Sequence, residues 1–311
     1  MSTQLASSTV PAQADEVRLA QQKRLVHRLN RNNAIASSLL WLVTMIVMVI
    51  FVSIIINLIW TGAPAFFVGS FYSTGSAGIV PELFNTFYIL ILTELFLFPI
   101  ALGAAIYLAE YTSKGPFVTL VHFAVETLAG VPSLVLGMFG FLFFSIDLHM
   151  GVSRLAGALT LLCLNFPFAL RLFEDALNTV PRELREGALS LGATKWHSIR
   201  TVVLPSALPG ILTSLILTSG KIIGESAALL FTMGISNPRN VFTLDPRIAS
   251  DTLTTHLYFF RLQALGSSGL SVHGEDVLKA GIAATLILLL LLINGVARIV
   301  GRLIERKLTA A

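Results

Sequence analysis

The chain has 311 residues, of which 55 % are apolar and only 12 % charged, with a formal net charge of +4. A soluble domain carries about twice that share of charged residues, so an ordinary water-soluble globule is excluded and lipid is the expected solvent. The mild positive balance is spread over loops and forms no basic stripe with aromatics among it, which argues against nucleic-acid binding.

Residues 1–33 are polar and rich in Ser, Gln and Ala, which predicts a disordered tail passing into a basic anchor at Arg18, Lys23, Arg24, Arg28 and Arg31. Six apolar segments follow, each near the roughly 20 residues a helix needs to cross a bilayer with every backbone group satisfied. The first, 34–60, is free of charge and too long for a signal peptide. The second, 83–109, contains Glu94 and Pro99, and the third, 117–144, contains Glu126 and Pro132. The fourth, 153–171, is short and bracketed by Arg154 and Arg171. The fifth, 206–233, holds Lys221 and Glu225; the sixth, 279–298, is rich in leucine, with Asn294 near its end. Pro99 and Pro132 are expected to kink their helices. The fold class is thus all-α, a polytopic membrane protein with six transmembrane helices over 34–300 and a short tail at 301–311.

Lysine and arginine set the orientation. They cluster in the N-terminal tail, at Lys114, at Arg171, Arg182, Arg185, Lys195 and Arg200, and at Arg298, Arg302, Arg306 and Lys307. The 61–82 loop has none, and the 145–154 loop has only Arg154. Both termini are therefore expected in the cytoplasm, with the 234–278 loop outside.

The loop 180–205 reads VPRELREGALSLGATKWHSIRTVVLP. Pro181 suits a first helical turn, and Glu183 and Glu186 favour the positive end of that helix. Leu184, Ala188 and Leu191 share one face, and Gly192 permits a left-handed cap. Thr194 then caps a second helix bearing Trp196, Ile199 and Val203. Two short amphipathic helices joined at a glycine form a knob. It suits either the groove of a soluble partner or the membrane surface.

Charges inside a span are functional candidates. Lys221 and Glu225, four apart on one helix face, either line a path for an anion or neutralise each other against a neighbouring helix. Arg171 and Glu174, three apart, form a second pair, with Arg171 alternatively a snorkelling anchor. Glu94, Glu126 and Asn165 suit interhelical hydrogen bonds. His122, His197, His256 and His273 show no ligand spacing, and the lone Cys163 is expected to pack. No phosphate-cradling G-x-x-x-x-G-K-[S/T] occurs, so the chain is not expected to be an enzyme or to bind a cofactor or metal.

Glu186, Gly187, Ala188 and Gly192, followed by Val202-Val-Leu204-Pro205, resemble the EAA loop of bacterial ABC-importer permeases, with Gly187 in place of the middle alanine and Val202 in place of isoleucine. Four further stretches resemble the PstA phosphate permeases: Leu128-Ala-Gly-Val-Pro-Ser133 with Gly137, Val180-Pro-Arg-Glu-Leu184, Gly224-Glu-Ser-Ala-Ala-Leu-Leu230 and Leu253-Thr-Thr-His-Leu-Tyr258. The similarity runs from about the second span to the sixth. It implies a type I ABC-importer permease fold in the bacterial inner membrane, translocating inorganic phosphate. It also implies a coupling loop that docks on a dimeric PstB-like ATPase, the holder of ATP and Mg. A PstC-like second permease and an external PstS-like binding protein complete the implied assembly. That family carries an Arg-x-x-Glu pair where Arg171 and Glu174 stand, and usually Arg at Lys221. A secondary transporter relaying ions through Lys221, Glu225 and Glu94, or a non-transporting scaffold, are the competing classes.

Overall fold

A computed structural model describes residues 10–74, 78–113, 115–235, 242–266 and 273–309. Among them every regular element is helical. The chain divides into Met1–Asn57 and Leu58–Ala311.

The first unit is essentially one helix, α1 (Val10–Gly62), whose last residues enter the second unit. It is apolar all round from Leu39 to Ile56, as lipid immersion requires. The helix already begins at Val10, so residues 10–33 are not the disordered tail expected; the nine before them lie outside the described residues. Pro11 sits in the first turn, where its missing N–H costs nothing, and no glycine or further proline interrupts the run before Gly62.

The second unit contains α2 (Val80–Ile106), α3 (Pro116–Ala129), α4 (Ser133–Gly140), α5 (Arg154–Asn178), α6 (Arg182–Ser190), α7 (Lys195–Ser198), α8 (Leu204–Gly224), α9 (Ala227–Thr232), α10 (Leu253–Gly266) and α11 (His273–Thr309). Its centre is α5, which packs against α2 and α8 through Leu161, Leu170, Phe173 and Leu177, all fully buried. A second cluster gathers Phe71, Ile79, Ile223, Leu253, Ile282 and Leu286 between α8, α11 and the turns after α1. Among the described residues five helices have the length and hydropathy to cross a membrane, six if a bent pair counts as one span.

That pair corrects the continuous third span. Pro116–Ala129 and Ser133–Asp147 meet at 96°. Gly130-Val131-Pro132 interrupts the helix because Pro132 has no N–H to donate and pushes Val131 out of helical conformation. The fifth span is corrected too: α8 stops at Gly224, and Glu225 is extended (φ −76°, ψ 127°) before α9 begins. The sixth helix runs over His273–Thr309, longer than 279–298, and takes in most of the expected 301–311 tail. The loop 234–278 contains α10.

Small residues set one of the close helix contacts. A Cβ on Gly137 would lie 2.7 Å from Ala228 Cα, so α4 and α9 approach backbone to backbone. Two of the motif stretches, around Gly137 and around Ala228, are thereby the two sides of one contact.

Candidate functional site

The 180–205 knob forms as its sequence implies. Pro181 is the N-cap of α6, Gly192 adopts φ +84°, and the Thr194 hydroxyl accepts from His197 N to cap α7. A wide turn, Ile199–Val203, leads into α8. Two details differ. Leu191 is the C-cap of α6, one residue past the helix, and stands 90 % exposed. Ile199 and Val203 are buried in the protein's own core, leaving Trp196 alone of that stripe 57 % exposed. Leu184, Ala188, Leu191, Ala193 and Val202 line an open hollow of about 810 Å³ with Gly187 and Gly192 at its floor. Glu186 is exposed beside it, and Leu204-Pro205 begins α8, where a proline in the first turn is tolerated.

The knob's attachment was not legible from spacing. Arg185 Nη2 donates to Leu177 O at 2.7 Å, and its Nε pairs with Glu110 at 3.2 Å. Lys195 Nζ sits 5.2 Å from the centre of the Tyr111 ring. Arg185 and Lys195 thus fix α6 and α7 to the end of the second span.

The span charges pair across helices, not along them. Arg171 Nη2 meets Glu126 Oε1 at 2.5 Å, and Glu174 Oε1 meets His122 Nε2 at 3.3 Å, so α5 is tied twice to α3 and the Arg171–Glu174 pair does not close on itself. Both Arg171 and Glu126 are exposed within the chain. Lys221 is exposed as well, its Nζ 5.0 Å from the centre of the Phe168 ring. Phe168 and Arg171 are three apart on α5 and share a face, which brings the two candidate cations onto one surface. The expected Lys221–Glu225 face is absent, because the helix ends between them; Glu225 Oε1 instead accepts from Ala228 N and caps α9. Glu94 accepts from Ser219 of α8 at 3.2 Å, an interhelical bond as expected. Asn165 donates to Leu161 O of its own helix instead.

At the far end of α2 lie two clusters that sequence spacing did not reveal. Arg154 is fully buried: Nη2 donates to Asn85 Oδ1 at 2.5 Å, Nε to Ser250 Oγ at 2.9 Å and Nη1 to Thr243 O, with the guanidinium 4.7 Å from the Tyr88 ring centre. It binds the 243–250 segment to α2. Close by in sequence, His256 Nδ1 is 2.8 Å from Asp251 Oδ2 and 3.7 Å from Glu82 Oε1. Burial opposes a charge on His256, but the hydrogen bond to Asp251 and the two carboxylate charges outweigh it and raise its pKa above the ordinary value. His256, which shows no ligand spacing in the sequence, meets carboxylates from 174 residues upstream and five upstream, a juxtaposition only folding creates. Thr254 Oγ1 donates to Glu225 O, and Leu253 N to Thr86 Oγ1, so the Leu253–Tyr258 stretch clamps the α8–α9 break and α2 together.

Residues 99–310 match the family described as binding-protein-dependent transport system inner membrane component. Among curated proteins, the probable ABC transporter permease protein YqgI of Bacillus subtilis is 37 % identical over 243 residues, 75 % of this chain and 81 % of that one. The phosphate transport system permease protein PstA of Mycobacterium leprae is 36 % identical over 175 residues, 56 % of this chain and 57 % of that protein. PstA of Xylella fastidiosa is 38 % identical over 134 residues, 43 % and 47 % of the two chains. The fold is similar to that of a chain of the MetNI methionine ABC transporter in inward-facing form, with TM-score 0.58 at 20 % identity over 73 % of this chain and 95 % of that one. The chain belongs to the binding-protein-dependent transport system inner membrane component family as a multi-pass, PstA-like ABC permease.

Proposed function

We propose that the chain is a phosphate-translocating subunit whose 180–205 knob couples it to a dimeric PstB-like ATPase on the cytoplasmic side. The observation that carries this is the exposed hollow around Gly192, with Leu184, Leu191 and Trp196 turned outward on a well-formed turn. Apolar side chains presented on a rigid, capped pair of helices are what a partner's groove recognises. Glu186, Gly187, Ala188 and Gly192 shape that surface, and Leu204-Pro205 transmits its movement into α8. ATP and Mg belong to the ATPase, a PstC-like permease completes the pore, and a PstS-like protein delivers substrate from outside. Both termini then face the cytoplasm with the knob, in accord with the basic residues around it.

Phosphate as substrate draws support from the PstA likenesses and from the surface that carries Lys221 and Arg171. A cation on a wet path attracts the anion, and Glu126 and Glu174 keep it from binding too tightly; the guanidinium fork of Arg171 suits phosphate oxygens. The test is ATP-driven uptake in proteoliposomes carrying the chain with its ATPase and second permease. Phosphate should be taken up and should not be displaced by excess sulfate. Sulfate uptake at equal or greater efficiency would refute the substrate, and ATP-independent uptake by the isolated chain would refute the class.

A further inference from the structure

Glu82, Asp251 and His256 converge at the end of α2 opposite the knob. Glu82 and Glu110, at the two ends of that span, are 28 residues apart, or about 42 Å of helix. The three side chains each offer one ligand atom, and these atoms lie within 4.8 Å of one another. Glu82 is 4 % exposed and Asp251 1 %. Both carboxylates reach the same imidazole nitrogen, Nδ1 of His256. Glu82 Oε2 is buried and has no hydrogen-bond partner among the described residues, an acceptor at the cluster left without a donor. A buried carboxylate in that condition is costly unless it takes up a proton or a cation meets it.

We propose that Glu82, Asp251 and His256 bind a divalent transition-metal cation of the Zn²⁺ or Mn²⁺ type. One imidazole and two carboxylates are an N/O donor set suited to such ions. Tetrahedral bonds of about 2.1 Å place donor atoms about 3.4 Å apart. The 2.8 Å and 3.7 Å separations at Nδ1 bracket that spacing, and no two of the three donor atoms lie more than 4.8 Å apart. The ion takes the place of the Nδ1 proton, leaving a neutral imidazole and two neutralised carboxylates. Its supports are already in position: Thr86 Oγ1 donates to Glu82 O at 2.6 Å, and Thr252 N donates to Thr255 Oγ1 at 2.8 Å, fixing the backbone beneath two ligands. The bound ion staples α2 to the segment that leads into α10, next to the Thr254 contact on the α8–α9 break.

The experiment uses the full-length chain in its complex, purified without a histidine tag, stripped with a chelator and titrated with Zn²⁺ and, separately, Mn²⁺. Metal content after desalting should reach one ion per chain, and the melting temperature should rise on addition and fall again on chelation. Glu82→Gln and His256→Gln, both close in shape to the original side chains, should each weaken binding at least tenfold. His197→Gln, on the knob, should leave stoichiometry unchanged. Neither ion bound at one per chain by the wild type, or binding that survives His256→Gln, overturns the assignment. Should a variant fail to fold, the wild-type titration with its chelator reversal decides alone.

Discussion

Gly192→Ala is the most revealing single change. Gly192 has φ +84°, and a Cβ built there meets nothing within 4 Å, so substitution clashes with no neighbour and acts through backbone conformation only. A left-handed conformation costs an L-residue about 1–2 kcal/mol. That is a factor of roughly 5–30 in the population of the turn. The turn has little margin to absorb it, since α6 buries no residue and hangs chiefly on Arg185. If the ATPase binds only the formed turn, the apparent Kd rises by the same factor. Gly187→Ala, five residues earlier, is the control. It too meets nothing within 4 Å, but it lies inside α6, where alanine stabilises the helix by about 0.5–1 kcal/mol. Two identical chemical changes therefore have opposite expected signs. Affinity of the permease in nanodiscs for the isolated ATPase measures both. Wild-type affinity for Gly192→Ala, or equal losses for the two variants, would refute coupling through a preformed turn.

Removing Arg154 should matter for stability more than any other change at that end of α2: Arg154→Met strands Ser250 and the Thr243 carbonyl and should cost about 3 kcal/mol, read as a lower melting temperature and proteolysis within 243–250. Gly137→Leu should leave insertion intact but destabilise by about 1–3 kcal/mol through overpacking against Ala228, and an unchanged melting temperature would contradict the close approach of α4 and α9. Lys221→Arg should keep much of the phosphate uptake and Lys221→Gln lose most of it. Because Glu225 caps α9 and does not pair with Lys221 along a helix, adding Glu225→Gln should fail to rescue; recovery in the double variant would restore the structural-pair explanation.

Elements with strong local signals were legible in advance. The knob was, because Pro181, Gly192 and Thr194 each impose a specific backbone geometry within a few residues. The spans were, because the bilayer demands length and hydropathy. Breaks inside spans were less so: Pro132 announced a disturbance, but its 96° depends on what α3 and α4 pack against. Gly224 gave no warning, since glycine is common within membrane helices, and the Lys221–Glu225 expectation failed with it. Tertiary partners were invisible altogether. Arg185 with Glu110, Arg154 with Asn85 and Ser250, and His256 with Glu82 join residues far apart in sequence, and no periodicity encodes them.

The bend at Gly130–Pro132 divides the labour of one span between two kinds of adhesive. Beyond it, α4 is fastened by shape, with Leu136, Gly137 and Gly140 buried against α9 and α5. Before it, α3 has no fully buried residue and is held to α5 by partly buried valines, the Arg171–Glu126 ion pair and the Glu174–His122 contact. Shape-fastened segments move as blocks, whereas charge-fastened ones can exchange partners, and on the proposed function a passing anion would be a competing partner for Arg171. A substrate that draws Arg171 from Glu126 would loosen α3 without disturbing α4, so the span can register cargo at one half while its other half keeps the bundle closed.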